Sequence, residues 1–304
     1  MKNVLLIAGG GTLGTYTAKE LLRLGHNVDV ICLEDKENSP KLTYLKANAT
    51  VDYLHKLFEK KHYDGIINFI HYKEVSDYEP YHELLTTSCE HLIFLSSYRI
   101  YAKSKHPVTE ESPILLDVIK DKDFLEKEKY SLSKARCERF IRNSSAPKNW
   151  TFVRPVISFS DRRLDLIMHT GHQVIDAAKN GETLTLPLEA KNLTAGLDWS
   201  GNTGKLIANL LFKKECIGEA YTISSAPNMT WGQIADIYSR LTGVTFKWEP
   251  ADYPRELWHW HFDRAYDRKV DNTKVLKATG LKPEDFKSIE DGIKIELEKL
   301  NFSK

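Results

Sequence analysis

The first 33 residues contain the pattern that most constrains the fold. The apolar run from Val4 to Ala8 has the length of a buried strand and passes directly into Gly9-Gly-Gly11-Thr-Leu-Gly14. A helix-forming stretch follows from Thr15 to Leu24, and then a β-rich run from Val28 to Leu33. Two parallel strands joined through a helix have this order. The N-terminus therefore predicts a parallel α/β sheet that begins with a glycine-rich turn.

The same alternation continues along the first half of the chain. Apolar runs predict further strands over 65–70, 91–96 and 150–154, with helices over 53–61 and 78–86 and a long charged helix over 123–142. Strands that alternate with helices form a parallel sheet covered on both faces. We therefore predict a doubly wound α/β sheet of the Rossmann type, a dinucleotide-binding domain over residues 1–155.

Residues 156–304 are less regular and predict a smaller α/β C-terminal lobe that binds substrate. Helical periodicity marks 162–181, 204–212, 231–242 and 288–300, and short β-rich runs mark 183–187 and 220–223. We expect some of this half, within 190–225, to return to the sheet. The cleft between a nucleotide domain and such a lobe is a common place for substrate.

Composition excludes several classes of function. The 43 basic and 42 acidic residues give a net charge of +1, so no nucleic-acid partner is expected. The cysteines are scattered without a C-x-x-C pair, which indicates reduced thiols. The N-terminal apolar run is too short for a signal peptide, and no run approaches the roughly 18 residues of a membrane span. We expect a cytoplasmic protein without a membrane partner.

The glycine turn is typical of a dinucleotide site. Glycine at these positions lets the backbone approach a pyrophosphate at the positive end of a helix, and the predicted contacts are Gly9, Gly11, Thr12, Leu13 and Gly14. Glu34, about 20 residues further on, would bind a ribose 2′-hydroxyl and repel a 2′-phosphate, and Asp35 is an equal candidate. No arginine is near them in sequence, which favours NAD with NADP as the alternative. Two solvated loop carboxylates without a role in cofactor binding are the alternative interpretation.

Tyr130 and Lys134 are spaced for joint action. Residues four apart share one face of a helix. A phenol loses its proton only near pH ~10, but a neighbouring cation favours the phenolate and makes tyrosine a usable general base. Ser97, after the strand at 91–96, would hydrogen-bond the same substrate oxygen. An ordinary surface Tyr and Lys is the alternative interpretation.

These residues together resemble the extended short-chain dehydrogenase/reductases, also called the NAD-dependent epimerase/dehydratase family. The resemblance covers nearly the whole chain and rests on the glycine turn and the following segments: Ile66-Ile-Asn-Phe69, Leu95-Ser-Ser97-Tyr-Arg-Ile-Tyr101, Tyr130-Ser-Leu-Ser-Lys134, Arg154-Pro155 and Val270-Asp-Asn-Thr-Lys274. It implies a catalytic triad of Ser97, Tyr130 and Lys134. It also implies cofactor contacts at Phe69, Ile70, His71 and Pro155, with His71 as a spacer rather than a catalyst.

The departures from the family pattern are equally specific. Ala8 stands where the family has glycine, and Cys32 and Asn48 stand where acidic residues contact the adenosine. Family dehydratases follow the active-site Ser or Thr with Asp-Glu, whereas Tyr98-Arg99 follow Ser97 here, which disfavours dehydration. The short segment from Phe69 to Ser97 is similar to an atypical branch that includes chloroplast stem-loop-binding proteins, which bind RNA and lack the tyrosine motif. The resemblance implies a homodimer, although this shortening removes part of a helix through which family dimers pack.

The substrate lobe contains the residues expected to bind a nucleotide sugar. Planar bidentate donors suit a diphosphate, and aromatic rings suit a base or a sugar face. The predicted substrate contacts are Arg162, Arg163, Trp199, His261, Arg264 and Arg268. Surface arginines and core tryptophans are the alternative for each. The His pairs at 169/172 and 259/261 lack a further ligand at suitable spacing, so no metal is expected.

The sequence therefore predicts an NAD-dependent sugar-nucleotide epimerase that acts through a transient ketone. An NAD(P)H-dependent ketoreductase with the same triad is the closest alternative. An RNA-binding protein of the stem-loop branch, without redox activity, is the alternative from another class. The identity of the sugar, its nucleotide and the oxidised carbon stay open at this point.

Overall fold

A seven-stranded parallel sheet forms the centre of the protein in the computed structural model, which describes residues 1–302. In chain order the strands are β1 (Asn3–Ile7), β2 (Asn27–Cys32), β3 (Leu42–Lys46), β4 (Gly65–Asn68), β5 (His91–Leu95), β6 (Trp150–Pro155), β7 (Ile157–Phe159), β8 (Thr183–Pro187), β9 (Leu197–Trp199), β10 (Ala220–Ile223) and β11 (Thr245–Glu249). The helices are α1 (Thr12–Arg23), α2 (Val51–Lys60), α3 (Val75–Thr87), α4 (Leu115–Val118), α5 (Lys122–Lys127), α6 (Ser131–Asn143), α7 (Gly171–Asn180), α8 (Ser200–Leu210), α9 (Trp231–Thr242), α10 (Thr273–Thr279) and α11 (Ile289–Lys299).

The sheet is doubly wound, as predicted, with the strand order β10-β6-β5-β4-β1-β2-β3. Successive residues of a strand point to opposite faces. Leu6 of β1 packs with the buried side chains of α1, α8 and α10, and its neighbour Leu5 packs with those of α2, α3 and α6. Both faces are therefore covered, which explains why the central strands are almost continuously apolar.

The chain reverses its direction of travel across the sheet between β1 and β4. At such a switch point the loops after the two strands diverge and leave a crevice at the carboxyl ends. The glycine turn follows β1, and Phe69 follows β4. The topology therefore brings these two predicted cofactor segments to the same crevice.

The second half of the chain contributes to both the sheet and a separate lobe. β10 pairs in parallel with β6, so part of 190–225 does join the central sheet. β8 pairs with β11, and β7 with β9, in two small parallel sheets. A second hydrophobic core, which includes Trp231 and Tyr238 of α9, packs this lobe. Within residues 1–302 no helix combines the length and apolar character that a membrane crossing requires.

Three sequence predictions differ from the structure. β3 was not predicted, because its residues are only half-buried at the sheet edge. The helix expected over 123–142 is broken between α5 and α6, since the Glu128 carboxylate accepts the backbone N–H groups of Ser131 and Leu132 and starts a new helix. The helix expected over 162–181 begins only at Gly171, after Ile167 in the left-handed region and a capping box made by Thr170.

Candidate active site

A cleft opens at the switch point of the sheet. Its inner part is a cavity of about 360 Å³ bordered by the glycine turn, Phe69, residues 95–99, Tyr130, residues 155–158 and two arginines of the C-terminal half, Arg163 and Arg264. An adjoining cavity of about 500 Å³ shares Ala8, Gly11 and Phe69 with it and continues past Glu34, Asn48 and His71. The two cavities form one groove along the carboxyl edge of the sheet, which is the shape that an extended dinucleotide requires.

The glycine turn fits a pyrophosphate. A Cβ on Gly14 would lie 2.2 Å from the Gly9 carbonyl oxygen, so only glycine lets α1 pack this closely on the turn. A Cβ on Gly11 would meet no atom within 4 Å, because Gly11 faces the open cleft. Gly11 is also the N-cap of α1 and supplies no side-chain cap. The first N–H groups of α1 are therefore available to an anion at the positive end of the helix.

Ala8 adopts a conformation that normally favours glycine. Its φ is +55°, in the left-handed region, and its exposed side chain borders both parts of the cleft. A residue with a Cβ costs about 1–2 kcal/mol in this region. The departure from the family pattern at position 8 is therefore accommodated as backbone strain, and the turn keeps its shape.

Glu34 is the acidic residue that borders the adjoining cavity of the groove. Arg162 holds it through two hydrogen bonds of 3.2 and 3.1 Å, and Lys36 lies 3.3 Å from it. The hydrogen bonds from Arg162 and Lys36 hold the pKa of Glu34 below its usual range. Asp35 instead points away to an exposed pair with Lys46 and does not border the groove.

The position of Arg162 differs from one sequence expectation and removes the reason given for another. It was assigned to the substrate diphosphate, but it lies at the cofactor end, where it also donates to the Gly10 carbonyl at 3.3 Å. The preference for NAD was argued from the lack of an arginine near Glu34, yet the fold places Arg162 there from 128 residues away. Lys36 donates to the same Gly10 carbonyl at 2.7 Å, so two cations span the glycine turn.

Tyr130 stands at the start of α6 with its ring at the cleft. Glu128 accepts the backbone N–H of Tyr130 at 3.1 Å and so fixes the chain at the point where the ring emerges. The ring lies between the imidazole of His71, 5.0 Å away between centroids, and the guanidinium of Arg99, 4.8 Å from the centroid. The side chain is therefore oriented by its neighbours while it remains 37% exposed to the cleft.

Ser96 and Ser97 line the floor of the cleft. The Ser97 hydroxyl accepts the Arg99 backbone N–H at 3.2 Å, which leaves its own hydrogen free to donate to a bound oxygen. The Ser96 hydroxyl is buried and has no hydrogen-bond partner within residues 1–302. Buried hydroxyls are normally satisfied. A polar group bound in the cleft would supply the missing partner, which fits the amide or ribose of a dinucleotide.

Lys134 lies directly behind the cleft surface, one helical turn after Tyr130. Its ammonium donates to the carbonyls of Leu95 at 2.6 Å and Ile70 at 3.2 Å, and the side chain is only 2% exposed. Burial lowers the pKa of Lys134 to about 8. The cation therefore ties together the segments that follow β4 and end β5, both of which border the groove.

The predicted substrate residues separate into two groups. Arg163 and Arg264 border the cleft, the former paired with Asp165 at 2.9 Å and the latter with Asp263. Three others lie elsewhere, where packing or backbone contacts engage them. The Trp199 indole packs on Tyr16 and donates to Glu296, the Arg268 guanidinium donates to the carbonyls of Tyr101 and Phe262, and the His261 ring contacts the Pro254 carbonyl in a separate surface depression.

Sequence reasoning missed Arg99 as a member of the site. It was used only as an argument against dehydration, but its side chain lines the cleft beside Tyr130. The nearest carboxylate, that of Asp263, is buried in the C-terminal half, with an oxygen 3.5 Å from Arg99 Nε. The available signal was its position two residues after Ser97, on the short 3₁₀ helix Tyr98–Ile100 that turns residues after β5 into the cleft.

Comparison with known proteins agrees with this geometry. The model of the "NAD dependent epimerase/dehydratase family" matches residues 5–199, whereas no curated protein matches the chain. Among solved structures, an epimerase from Methanothermobacter thermautotrophicus is 15% identical, with 99% of this chain and 92% of that chain covered and a TM-score of 0.74. Pal from Bacillus thuringiensis is 15% identical, with 98% of this chain and 99% of that chain covered and a TM-score of 0.71. The Bacillus cereus UDP-glucuronic acid 4-epimerase, solved with UDP-glucuronic acid and NAD, is 16% identical, with 99% of this chain and 100% of that chain covered and a TM-score of 0.69.

At these identities the structural similarity concerns the fold, and the family match covers most of the chain, from β1 through β9. The matched region contains the glycine turn, Glu34, Ser97, Tyr130 and Lys134. This chain belongs to the NAD-dependent epimerase/dehydratase family, and the dinucleotide that its glycine turn fits is NAD.

Proposed function

We propose that this protein is an NAD-dependent sugar-nucleotide epimerase that works through a transient ketone. The observation that carries the proposal is the convergence of Ser97, Tyr130 and the glycine turn on one cavity, with Lys134 behind it. The similar structures include enzymes solved with UDP-glucuronic acid and NAD, which supports a nucleotide sugar as the substrate class.

Each residue has a distinct part in this chemistry. Tyr130, whose ring lies at the cleft, takes the proton of a sugar hydroxyl. Ser97 donates its hydrogen to the same oxygen, because its hydroxyl accepts the Arg99 N–H and keeps its own hydrogen free for a bound acceptor. NAD, held by the glycine turn and the groove, would supply a reversible hydride acceptor for that carbon, with loss of the hydride from one face of the sugar and its return to the other. After the keto sugar rotates in the cleft, Tyr130 returns the proton to the oxygen, and the configuration of one carbon is inverted.

Two features favour an epimerase over the related reactions. Arg162 and Lys36 both reach across the glycine turn to the Gly10 carbonyl and to Glu34, which suits a cofactor that stays bound between turnovers. A reductase must instead exchange its cofactor every cycle. Arg99 stands where family dehydratases place an acidic pair, so the cleft lacks that acid for the elimination of water.

Turnover without added cofactor tests this proposal. Purified protein is incubated with UDP-glucose or UDP-glucuronic acid, and the sugar products are separated by anion-exchange chromatography. We expect interconversion with the corresponding 4-epimer without NADH consumption, and a loss of roughly 10²-fold or more in kcat for Tyr130→Phe. Tyr53→Phe, which removes a hydroxyl from half-buried Tyr53 on α2, is the matched control and should keep full activity.

Three results would refute the proposal. Stoichiometric oxidation of NADH or NADPH with no epimer would identify a ketoreductase. Unchanged activity in Tyr130→Phe would remove the proton-transfer role on which the mechanism depends. RNA binding by the wild type that survives in Tyr130→Phe, together with no sugar turnover, would favour the stem-loop class instead.

A further inference from the structure

Arg99 places a positive charge next to the group that would react. Its guanidinium carbon lies 4.8 Å from the centroid of the Tyr130 ring, and both side chains line the same cavity. Ser97, two residues earlier, lines that cavity as well. A substrate group that contacts Arg99 therefore lies within about the width of one sugar ring from the oxygen that Ser97 and Tyr130 would hold.

The donors of Arg99 are not satisfied by the protein. Its Nε is buried and has no hydrogen-bond partner within residues 1–302. The nearest carboxylate oxygens are that of Asp263, 3.5 Å from Nε, and that of Glu128, 4.0 Å from Nη2, and both distances are longer than an ordinary N–H···O bond. Glu128 is already engaged by the backbone N–H groups at the start of α6. An acceptor that enters the cleft would complete the hydrogen bonding of this guanidinium.

The surroundings of Arg99 carry an excess of positive charge. Burial acts to raise the pKa of Asp263, but Arg264, Arg99 and Arg268 outweigh it and hold that pKa below its usual range. This one ionised carboxylate is shared by three guanidinium groups, and Glu128 is the second acidic partner of the cluster. Three cations against two anions leave one positive charge without a partner, and of the three cations Arg99 and Arg264 border the cleft.

We propose that the sugar bound here carries a carboxylate near the oxidised hydroxyl, and that Arg99 and Arg264 bind this carboxylate. The substrate class is a nucleotide-linked uronic acid. The guanidinium of Arg99 can match a carboxylate by parallel N–H···O bonds, which a neutral hydroxymethyl group cannot replace. Arg264 adds positive charge beside it, since its Nε and Nη1 already donate to the Ile167 carbonyl and to Asp263. This inference rests on the proposed function. The diphosphate of the nucleotide is the other anion that two arginines could bind, and the experiment separates the two sources.

Binding of an acidic and a neutral sugar with the same nucleotide tests the inference. UDP-glucuronic acid and UDP-glucose are titrated into the NAD-loaded enzyme by calorimetry, for the wild type, Arg99→Gln and Arg99→Lys. We expect the wild type to bind the acid about 10- to 100-fold more tightly than UDP-glucose. Arg99→Gln should reduce this preference to about threefold or less while the affinity for UDP-glucose stays unchanged. Arg240→Gln, which breaks only an exposed pair with Glu290, is the matched control.

The outcomes are distinct. Equal weakening of both sugars by Arg99→Gln would assign Arg99 to the diphosphate and overturn the inference, as would equal binding of both sugars, or of neither, by the wild type. If thermal melting shows that Arg99→Gln does not fold, Arg99→Lys is the deciding variant, because lysine keeps the charge but lacks the bidentate guanidinium. This variant must lower the preference for UDP-glucuronic acid over UDP-glucose at least threefold. Epimerisation of UDP-glucose without a preference for the acid would support the proposed function and refute this inference. A preference for the acid without turnover would do the reverse.

Discussion

Replacement of Lys134 by methionine should change how the stability of the protein depends on pH. The ammonium is 2% exposed, and burial lowers its pKa from the ordinary 10.5 to about 8. Between these two values the unfolded chain binds the proton and the folded chain does not, so the free energy of unfolding rises with pH across this window. A difference of about 2.5 between the two pKa values, at about 1.36 kcal/mol for one pKa unit, corresponds to roughly 3 kcal/mol in the free energy of unfolding. The wild type should gain this amount from pH 8 to 10.5, and Lys134→Met should not.

Urea denaturation of the NAD-free proteins at several pH values between 7 and 10.5 measures this effect. The difference between wild type and Lys134→Met isolates one group, because the other tyrosines and lysines titrate in both proteins. The lost hydrogen bonds to Ile70 and Leu95 shift the variant at every pH and leave the slope unaffected. Lys294→Met, on the exposed side of α11, is the control and should follow the wild type within about 0.5 kcal/mol. A difference that stays constant from pH 7 to 10.5 would refute the reasoning.

Two further predictions follow from the glycine turn and its surroundings. Glu34→Gln removes the charge that repels a 2′-phosphate and leaves Arg162 and Lys36 in place. The affinity for NADP relative to NAD should therefore rise at least ~10-fold in fluorescence titrations. Asp35→Asn is the control, and an unchanged affinity ratio in Glu34→Gln would contradict the role of Glu34 in cofactor choice. Ala8→Gly relieves the left-handed φ of +55° and should raise the free energy of unfolding by roughly 0.5–1 kcal/mol in urea; no gain would show that the turn is not strained there.

Local patterns predicted the scaffold well, because each depends on neighbours in sequence. The glycine turn after an apolar strand and the spacing of Tyr130 and Lys134 are examples, and the structure brings Tyr130 to the same cleft as the turn. The prediction of one uninterrupted helix over 123–142 is wrong for an equally local reason. Glu128 can either continue a helix or cap the next one, and periodicity does not separate the two.

Contacts between distant segments could not be predicted in this way. The bond from Arg162 to Glu34 joins residues 128 positions apart, and its existence depends on where the loop after β7 crosses the sheet. Trp199 illustrates the opposite case. Its indole is expected to stack on substrate, but in the structure the ring packs on Tyr16 and the indole N–H donates to Glu296. Residue type alone does not indicate whether a side chain is already used within the protein.

The fate of the hydrogen on the inverted carbon tests the central claim most directly. A UDP-sugar deuterated at every ring carbon is incubated with the enzyme in ordinary water without added cofactor, and the epimer is examined by NMR. The proposed mechanism returns the same hydride to the same carbon, so we predict that the inverted carbon retains its deuterium. Replacement of that deuterium by hydrogen from water would contradict a redox mechanism at Tyr130 and would indicate inversion by proton abstraction instead.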